Sequence, residues 1–184
     1  MESPNVYRLR FSEGFEWLLP INDADFESLR FDGQSRVESW RPVKMKRLMA
    51  TEKGERLRLT DFPACSGGDM LLMSRSARDR IGPRLESYGE ILRLECEDGE
   101  FWILNVTRLI DALDESKSEL VRASDTGAVL MIRKHAFRAS ELGEALVFKL
   151  VQMPRGLIYV TDPFIEIVGV SGLRGLEFVQ VWPP

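Results

Sequence analysis

The sequence predicts an α+β fold made mainly of antiparallel sheet with a few short helices. Short apolar segments, several with period-two alternation, outnumber the segments with helical periodicity. Turn residues separate these segments at short intervals, and Asp98-Gly99 between two apolar runs indicates a β-hairpin. Strands and helices do not alternate regularly, which disfavours a parallel α/β architecture.

The first half of the chain is read as strands joined by polar loops. Residues 22–36 are rich in Asp, Ser and Gly and are expected to form a loop. The predicted extended segments are NVYRLRF (5–11), FEWLLPI (15–21, ended by Pro20), PVKMKRLMA (42–50), RLRLTDFP (56–63) and a buried strand at 70–73 after a glycine-rich turn.

A helix is expected to begin after Ser74, which is a favourable N-cap residue. Four apolar residues then fall on one helical face: Ala77, Ile81, Leu85 and Tyr88. Pro83 predicts either a kink or two short helices, and Gly89 is expected to end the helical region.

In the second half, Asp98-Gly99 predicts a type I′ turn with positive φ at both central residues. The returning arm FWILNV (101–106) is continuously apolar, so we expect it to be central in a sheet, with Trp102 and Ile103 in the core.

The remaining elements follow from the same patterns. They are a strand at 128–137, a short helix or turn at 138–146, an edge strand at 146–150, a strand at 156–160, a helix capped by Asp162 with Pro163 at its first position and stopped by Gly172, and a last strand at 175–182.

Length and composition are typical of an ordinary globular protein. The 184 residues are expected to form a single domain, 1–184, with a possible subdivision near 85–90. A net charge of −4 disfavours general affinity for nucleic acid. Two distant cysteines indicate neither a disulfide framework nor a zinc site. The N-terminal residues lack a signal-peptide pattern and no apolar run could span a bilayer, so the expected location is the cytoplasm.

The acidity is concentrated between residues 90 and 119, which carry nine acids and three bases. Two readings stay open for these acids, a solvated face or a docking surface for a basic protein groove. The candidate binding residues are Glu95, Glu97, Asp98, Glu100, Asp111, Asp114 and Glu115.

No catalytic or cofactor motif is found in the sequence. His135 is the one histidine, and a lone histidine in a strand is more often structural than catalytic. Neither the Gly-rich segment 66–69 nor the acid run 111–119 has the spacing of a phosphate loop or a calcium loop. We therefore expect no cofactor, no metal and no catalytic residue.

Several segments, in the same order along the chain, resemble immunity protein family eleven of bacterial polymorphic toxin systems. They are SLRFDG (28–33), SWRPVKMKRL (39–48), DFP (61–63), FWILNVTRLIDALDESKSE (101–119), VFKL (147–150), RGLIYVTDPFIEIV (155–168) and GLRGLEFVQVW (172–182). The most specific parts are NVTRLIDALDESKSE and IYVTDPF.

The resemblance implies an intracellular inhibitor, encoded beside a toxin used in competition between bacteria, that protects the cell by binding that toxin. The neighbouring toxins often look like nucleases, whose grooves must be basic to hold phosphates. The implied partner is the cognate toxin, with no direct contact to nucleic acid or membrane. Two alternatives remain: an enzyme that reverses the toxin's modification, with His135, Asp111 and Asp114 as candidates, or an acidic chaperone or scaffold for the toxin.

Overall fold

The computed structural model describes residues 4–183. Residues 1–3 of the N-terminal segment, in which we expect no signal peptide, and Pro184 lie outside the described residues. The described part contains two five-stranded sheets, a two-stranded ribbon and four short helices.

The first sheet joins the two ends of the chain. Its strands, in spatial order, are β12 (Leu176–Trp182), β1 (Val6–Phe11), β11 (Tyr159–Thr161), β10 (Val147–Leu150) and β7 (Leu109–Ile110). β10 and β7 pair in parallel, and the other neighbours in this sheet pair antiparallel.

The second sheet comes from the first 106 residues. Its strands, in spatial order, are β2 (Trp17–Pro20), β3 (Lys44–Leu48), β5 (Gly89–Cys96), β6 (Phe101–Val106) and β4 (Leu72–Ser74). Only β3 and β5 pair in parallel here. The ribbon consists of β8 (Glu119–Arg122) and β9 (Val129–Lys134), which pair antiparallel. Antiparallel pairing therefore dominates, and the predicted α+β class is confirmed.

The helices are α1 (Phe26–Leu29), α2 (Arg75–Leu85), α3 (Ala139–Leu142) and α4 (Asp162–Val170). The Ser74 hydroxyl accepts a hydrogen bond from the Ala77 amide at 3.2 Å, which confirms the predicted N-cap. Pro83 lies inside one continuous helix, so of the two predicted alternatives, a kink or two short helices, the second is wrong. The helix ends at Leu85, and Gly89 begins β5 instead of ending the helix.

Four further predictions from the sequence are wrong. The segment 22–36 is not all loop, because the Asn22 side chain accepts the Ala24 amide and starts a 3-10 turn that leads into α1. Residues 56–63 form only isolated bridges. The segment 147–150 is an internal, wholly buried strand and not an edge. Thr161, not Asp162, occupies the N-cap of α4.

The Asp162 carboxylate has a different role. It accepts hydrogen bonds from the backbone and side chain of Asn5, both at 3.1 Å, and from the Tyr7 hydroxyl at 2.9 Å. These bonds tie the N-terminal strand to the start of α4. Gly172, with φ of +65°, follows the last turn of that helix as predicted.

The main apolar core lies between the two sheets and under α2 and α4. It includes Leu9 from β1, Leu104 and Val106 from β6, Phe164 from α4 and Leu173. A second cluster fills the other face of the second sheet, and a third packs β10 and β11 against residues 110–145.

Candidate functional site

The hairpin between β5 and β6 carries the first group of acids at its tip, and we call Glu95, Glu97, Asp98 and Glu100 the acidic tip. The last β5–β6 pair is Leu94 with Phe101, after which β5 continues beside β3 by pairing Glu95 with Lys44. This extension makes the connection longer than a two-residue turn. The pairing of β5 with β6 confirms the predicted hairpin. The predicted type I′ turn is wrong, because that turn needs a positive φ at Asp98, and no non-glycine residue between 4 and 183 has one.

Half of the acidic tip is paired within the chain. Glu100 bridges Arg75 and Arg93, the latter at 3.5 Å, and Glu95 lies 3.9 Å from the Lys44 ammonium. These are exposed pairs of the kind that stabilise proteins little.

The other two carboxylates of the tip are free of such pairs. Both Glu97 and Asp98 are exposed, and neither makes an ion pair with any residue that the structure describes. The Asp98 backbone carbonyl accepts a hydrogen bond from Arg47 at 3.0 Å, which holds the turn against β3. The tip thus presents two carboxylates on an anchored loop.

The second group of acids, Asp111, Asp114 and Glu115, follows β7 at the edge of the first sheet. Hydrogen bonds from Gln152 at 2.8 Å and Arg138 at 2.9 Å hold the pKa of Asp111 below its ordinary value. Glu115 is paired with Arg122 of the ribbon. The acidic tip lies on the second sheet, whereas this group follows a strand of the first sheet. No hydrogen bond or ion pair between residues 4 and 183 joins the two groups.

Asp114 has its partners close in sequence. Ser116 donates to its carboxylate at 2.7 Å and Lys117 lies at 3.0 Å, and together they lower its pKa to about 2. Its backbone amide donates to the Ala136 carbonyl at 2.8 Å. Asp114 therefore organises the loop that follows β7.

His135 lies in an aromatic cluster. Its Nε2 is 2.9 Å from the Tyr159 hydroxyl, and its ring stacks on Phe137 with centroids 5.9 Å apart. Burial, with a smaller contribution from the charge of Arg8, lowers its pKa to about 4. No hydrogen bond or ion pair of the described residues joins any two of His135, Asp111 and Asp114.

The cysteines and the remaining acids give little further chemistry. Cys65 is buried, which raises the pKa of its thiol to about 12. Within residues 4–183, no group of three His, Cys, Asp or Glu side chains is arranged to hold a metal ion. Over the same residues, every helix is too short or too polar to cross a membrane.

A cationic cleft of about 410 Å³ that the sequence did not predict lies beside the acidic tip. Its cations are Arg30, Arg36, Arg41 and Lys44, and Trp40 contributes to its wall. The available signal was the run of bases around Trp40 in a chain of net negative charge.

Comparisons with known proteins bear on the C-terminal half of the chain. A search of curated proteins finds no match. One family model matches part of the chain, and the matched part contains all seven candidate acids, His135, the ribbon and the strands from β6 to β12. Residues 94–182, just under half of the chain, match the model of the Immunity protein family (Imm11), and the family resemblance predicted from the sequence is confirmed over this segment.

Proposed function

We propose that this chain is an immunity protein that binds a cognate bacterial toxin directly and neutralises it in the cytoplasm of the producing or kin cell. The observation that carries the proposal is the match of residues 94–182 to an immunity protein family. The matched segment contains the acidic tip and the second acid group.

The acidic tip is the proposed first contact. Glu97 and Asp98 project from an anchored hairpin, are exposed, and have no ion pair within the described chain. Carboxylates in this position accelerate association with a cationic surface. A nuclease toxin would supply such a surface, because its groove must hold phosphates.

The second acid group enters the proposal as a peripheral contact. The carboxylates of Asp111, Asp114 and Glu115 already have partners within the chain. A toxin would have to exchange those partners, which reduces the net gain from each new ion pair.

The test uses the toxin domain encoded by the adjacent gene. Co-expression of this chain should rescue cells from that toxin, and calorimetry on the purified pair should show a complex with about one copy of each protein. Rescue at strongly sub-stoichiometric amounts, or rescue without a complex, would reject direct neutralisation and favour the enzymatic alternative.

A further inference from the structure

We propose that the cationic cleft at residues 25–44 is a second docking site, which receives an acidic peptide segment of the partner protein. This inference rests on the proposed function, since it describes how the same partner is held. The cleft lies in the N-terminal half, outside the segment that matches the family model.

The side chains that line the cleft carry more positive than negative charge. Four cations line it, and two carboxylates, Asp25 and Glu27, share its wall. Glu27 is already paired with Arg155, which lies outside the cleft. Among the residues from 4 to 183, no carboxylate comes within 4.0 Å of the charged nitrogens of Arg30 or Arg41. Two guanidinium groups are therefore available to an anionic ligand.

The other two cations are only partly neutralised. Arg36 lies 3.2 Å from Asp32, and Lys44 lies 3.9 Å from Glu95 of the acidic tip. Both pairs are exposed, and water screens them. Carboxylates that enter the cleft can therefore pair with these cations without first breaking a buried ion pair.

The wall of the cleft is held in place by the sheets beneath it. We call residues 30–43 the strap, since this stretch crosses the second sheet without regular structure. Three strand side chains bond to the strap backbone: Lys149 donates to the Phe31 carbonyl at 3.0 Å, Asn105 donates to the Gln34 carbonyl at 2.9 Å, and Glu90 accepts from the Arg36 amide at 2.8 Å. In the other direction, the Trp40 indole of the strap donates to the Arg93 carbonyl at 2.8 Å.

Close packing adds to these bonds. Gly33 sits against Leu109, and a Cβ at this position would lie 2.7 Å from that side chain. Phe31 and Trp40 pack with ring centroids 5.8 Å apart. The backbone of the strap therefore loses little conformational entropy when the cleft binds a ligand.

The surroundings favour a short acidic peptide over a nucleic acid. The acidic tip adjoins the cleft, since Pro42 lines both the cleft and the neighbouring depression around Glu95 and Glu97. A phosphodiester chain long enough to leave the cleft on this side would meet those carboxylates. A peptide can instead carry acids for the cleft and a base for the tip, which also fixes the orientation of the partner.

The first experiment titrates the full chain with a capped hexapeptide of alternating Asp and Glu at low salt, using calorimetry. We expect saturable binding that weakens at least tenfold in the variant Arg30→Glu/Arg41→Glu. These two side chains make no contact to a distant residue that the structure records, so the variant should fold, as circular dichroism would check. The matched control is Arg133→Glu/Lys134→Glu on the exposed strand β9, which should bind the peptide as the unchanged chain does.

Three results would contradict the proposal that the cleft binds an acidic peptide. They are no binding of the peptide, an equal loss of peptide affinity in the control variant, or tighter binding of a hexathymidylate than of the peptide. A separate measurement with the toxin domain distinguishes the two proposals. Equal toxin affinity for the unchanged chain and for Arg30→Glu/Arg41→Glu would show that the toxin does not dock in the cleft, without contradicting the proposed immunity function. Failure of the toxin to bind the unchanged chain would reject the immunity function, while the peptide titration would still decide whether the cleft accepts acidic segments.

Discussion

At the scale of single residues, Lys149 is a charged side chain buried in the interior. It is 2% exposed, and its ammonium donates to the Phe31 carbonyl without an ion pair among the described residues. Burial lowers its pKa to about 8, and the more distant carboxylates of Asp69 and Asp32 only partly oppose this. The buried charge costs stability at neutral pH in return for an anchor on the strap.

This residue gives a prediction for alkaline pH. The unfolded chain keeps the Lys149 proton up to about pH 10.4, whereas the folded chain releases it near pH 8. The unfolded state therefore binds more protons in this window, and the Lys149 contribution makes stability rise with pH. Relative to Lys149→Met, the unchanged chain should gain up to about 1 kcal/mol per pH unit between pH 8 and 9.5.

Urea unfolding of both proteins at three pH values checks this difference. Comparison with the variant is needed because burial raises the pKa of Tyr7 and Tyr159, which makes stability fall as the pH approaches 10 in both proteins. Parallel stability curves for the two proteins would show that Lys149 does not titrate in this range.

His135 gives a second prediction at this scale. Its pKa is about 4 in the folded chain and about 6.5 when unfolded, so its contribution to stability is lost as the pH falls through this window. His135→Gln keeps a hydrogen-bonding group for Tyr159 and should flatten the acid side of the stability curve without reducing rescue from the toxin. A tenfold loss of rescue in this variant, with the fold intact by circular dichroism, would support the enzymatic alternative.

At the scale of elements, strand β6 was predicted to place both Trp102 and Ile103 in the core, and only one of them is there. Ile103 is fully buried, as predicted. Trp102 is only half-buried, so its assignment to the core is wrong, and the Arg78 guanidinium covers its ring at 5.5 Å. Both faces of β6 pack on apolar clusters, but Trp102 lies beside the exposed side of α2, beyond the part of its face where Leu104 and Val106 enter the main core.

Two alanine variants test this difference within one strand. Ile103→Ala should destabilise the chain by about 2–5 kcal/mol, because it leaves a cavity in a packed core. Trp102→Ala should cost less, about 1–3 kcal/mol, because part of the ring already contacts water. The measurement is the urea midpoint of each variant at unchanged slope. A larger loss for Trp102→Ala than for Ile103→Ala would place the tryptophan in the core after all.

The acidic tip gives a prediction about association kinetics. Glu97→Lys/Asp98→Lys should leave the fold intact and slow toxin association, most visibly at low salt, because the screening length falls from about 30 Å at 0.01 M to about 10 Å at 0.1 M. The control is Glu52→Lys/Glu55→Lys on the exposed turn before residue 56, which makes the same charge change away from the tip and should not slow association as much. Stopped-flow rates across a salt series separate the two variants, and equal rates would show that the tip is only a solvated face.

Local patterns predicted most elements, because each depends on a few neighbouring residues. The Ser74 cap, the β5–β6 hairpin and the C-terminal strand–helix–strand unit all have short-range signals. For the cationic cleft the sequence offers only the run of bases around Trp40, which does not show that those bases line one cavity. Its strap is fixed by Asn105 and Lys149, which lie 71 and 118 residues beyond their acceptors. The parallel pairing that extends the hairpin tip beside β3 is a long-range contact of the same kind.

At the scale of the whole molecule, each half of the chain supplies strands to a sheet that the other half completes, which the sequence did not predict. The possible boundary near 85–90 falls between α2 and β5. β1 nevertheless lies between β11 and β12 and pairs with both. The main core also draws on both sides of the boundary, from Leu9 to Leu173. Each half therefore lacks strands that its sheet requires.

The last prediction follows from this arrangement. A fragment of residues 90–184 should not fold alone. Removal of β1 leaves β12 without a partner strand and β11 paired only with β10, and removal of β2, β3 and β4 reduces the second sheet to one hairpin, which is marginal in water. The whole chain should unfold in urea in one transition, with the same midpoint by tryptophan fluorescence and circular dichroism. Mixing fragments 1–89 and 90–184 should restore sheet signal if the halves fold only together. A cooperative transition in the isolated fragment 90–184 would show instead that the segment matched by the family model is an independent folding unit.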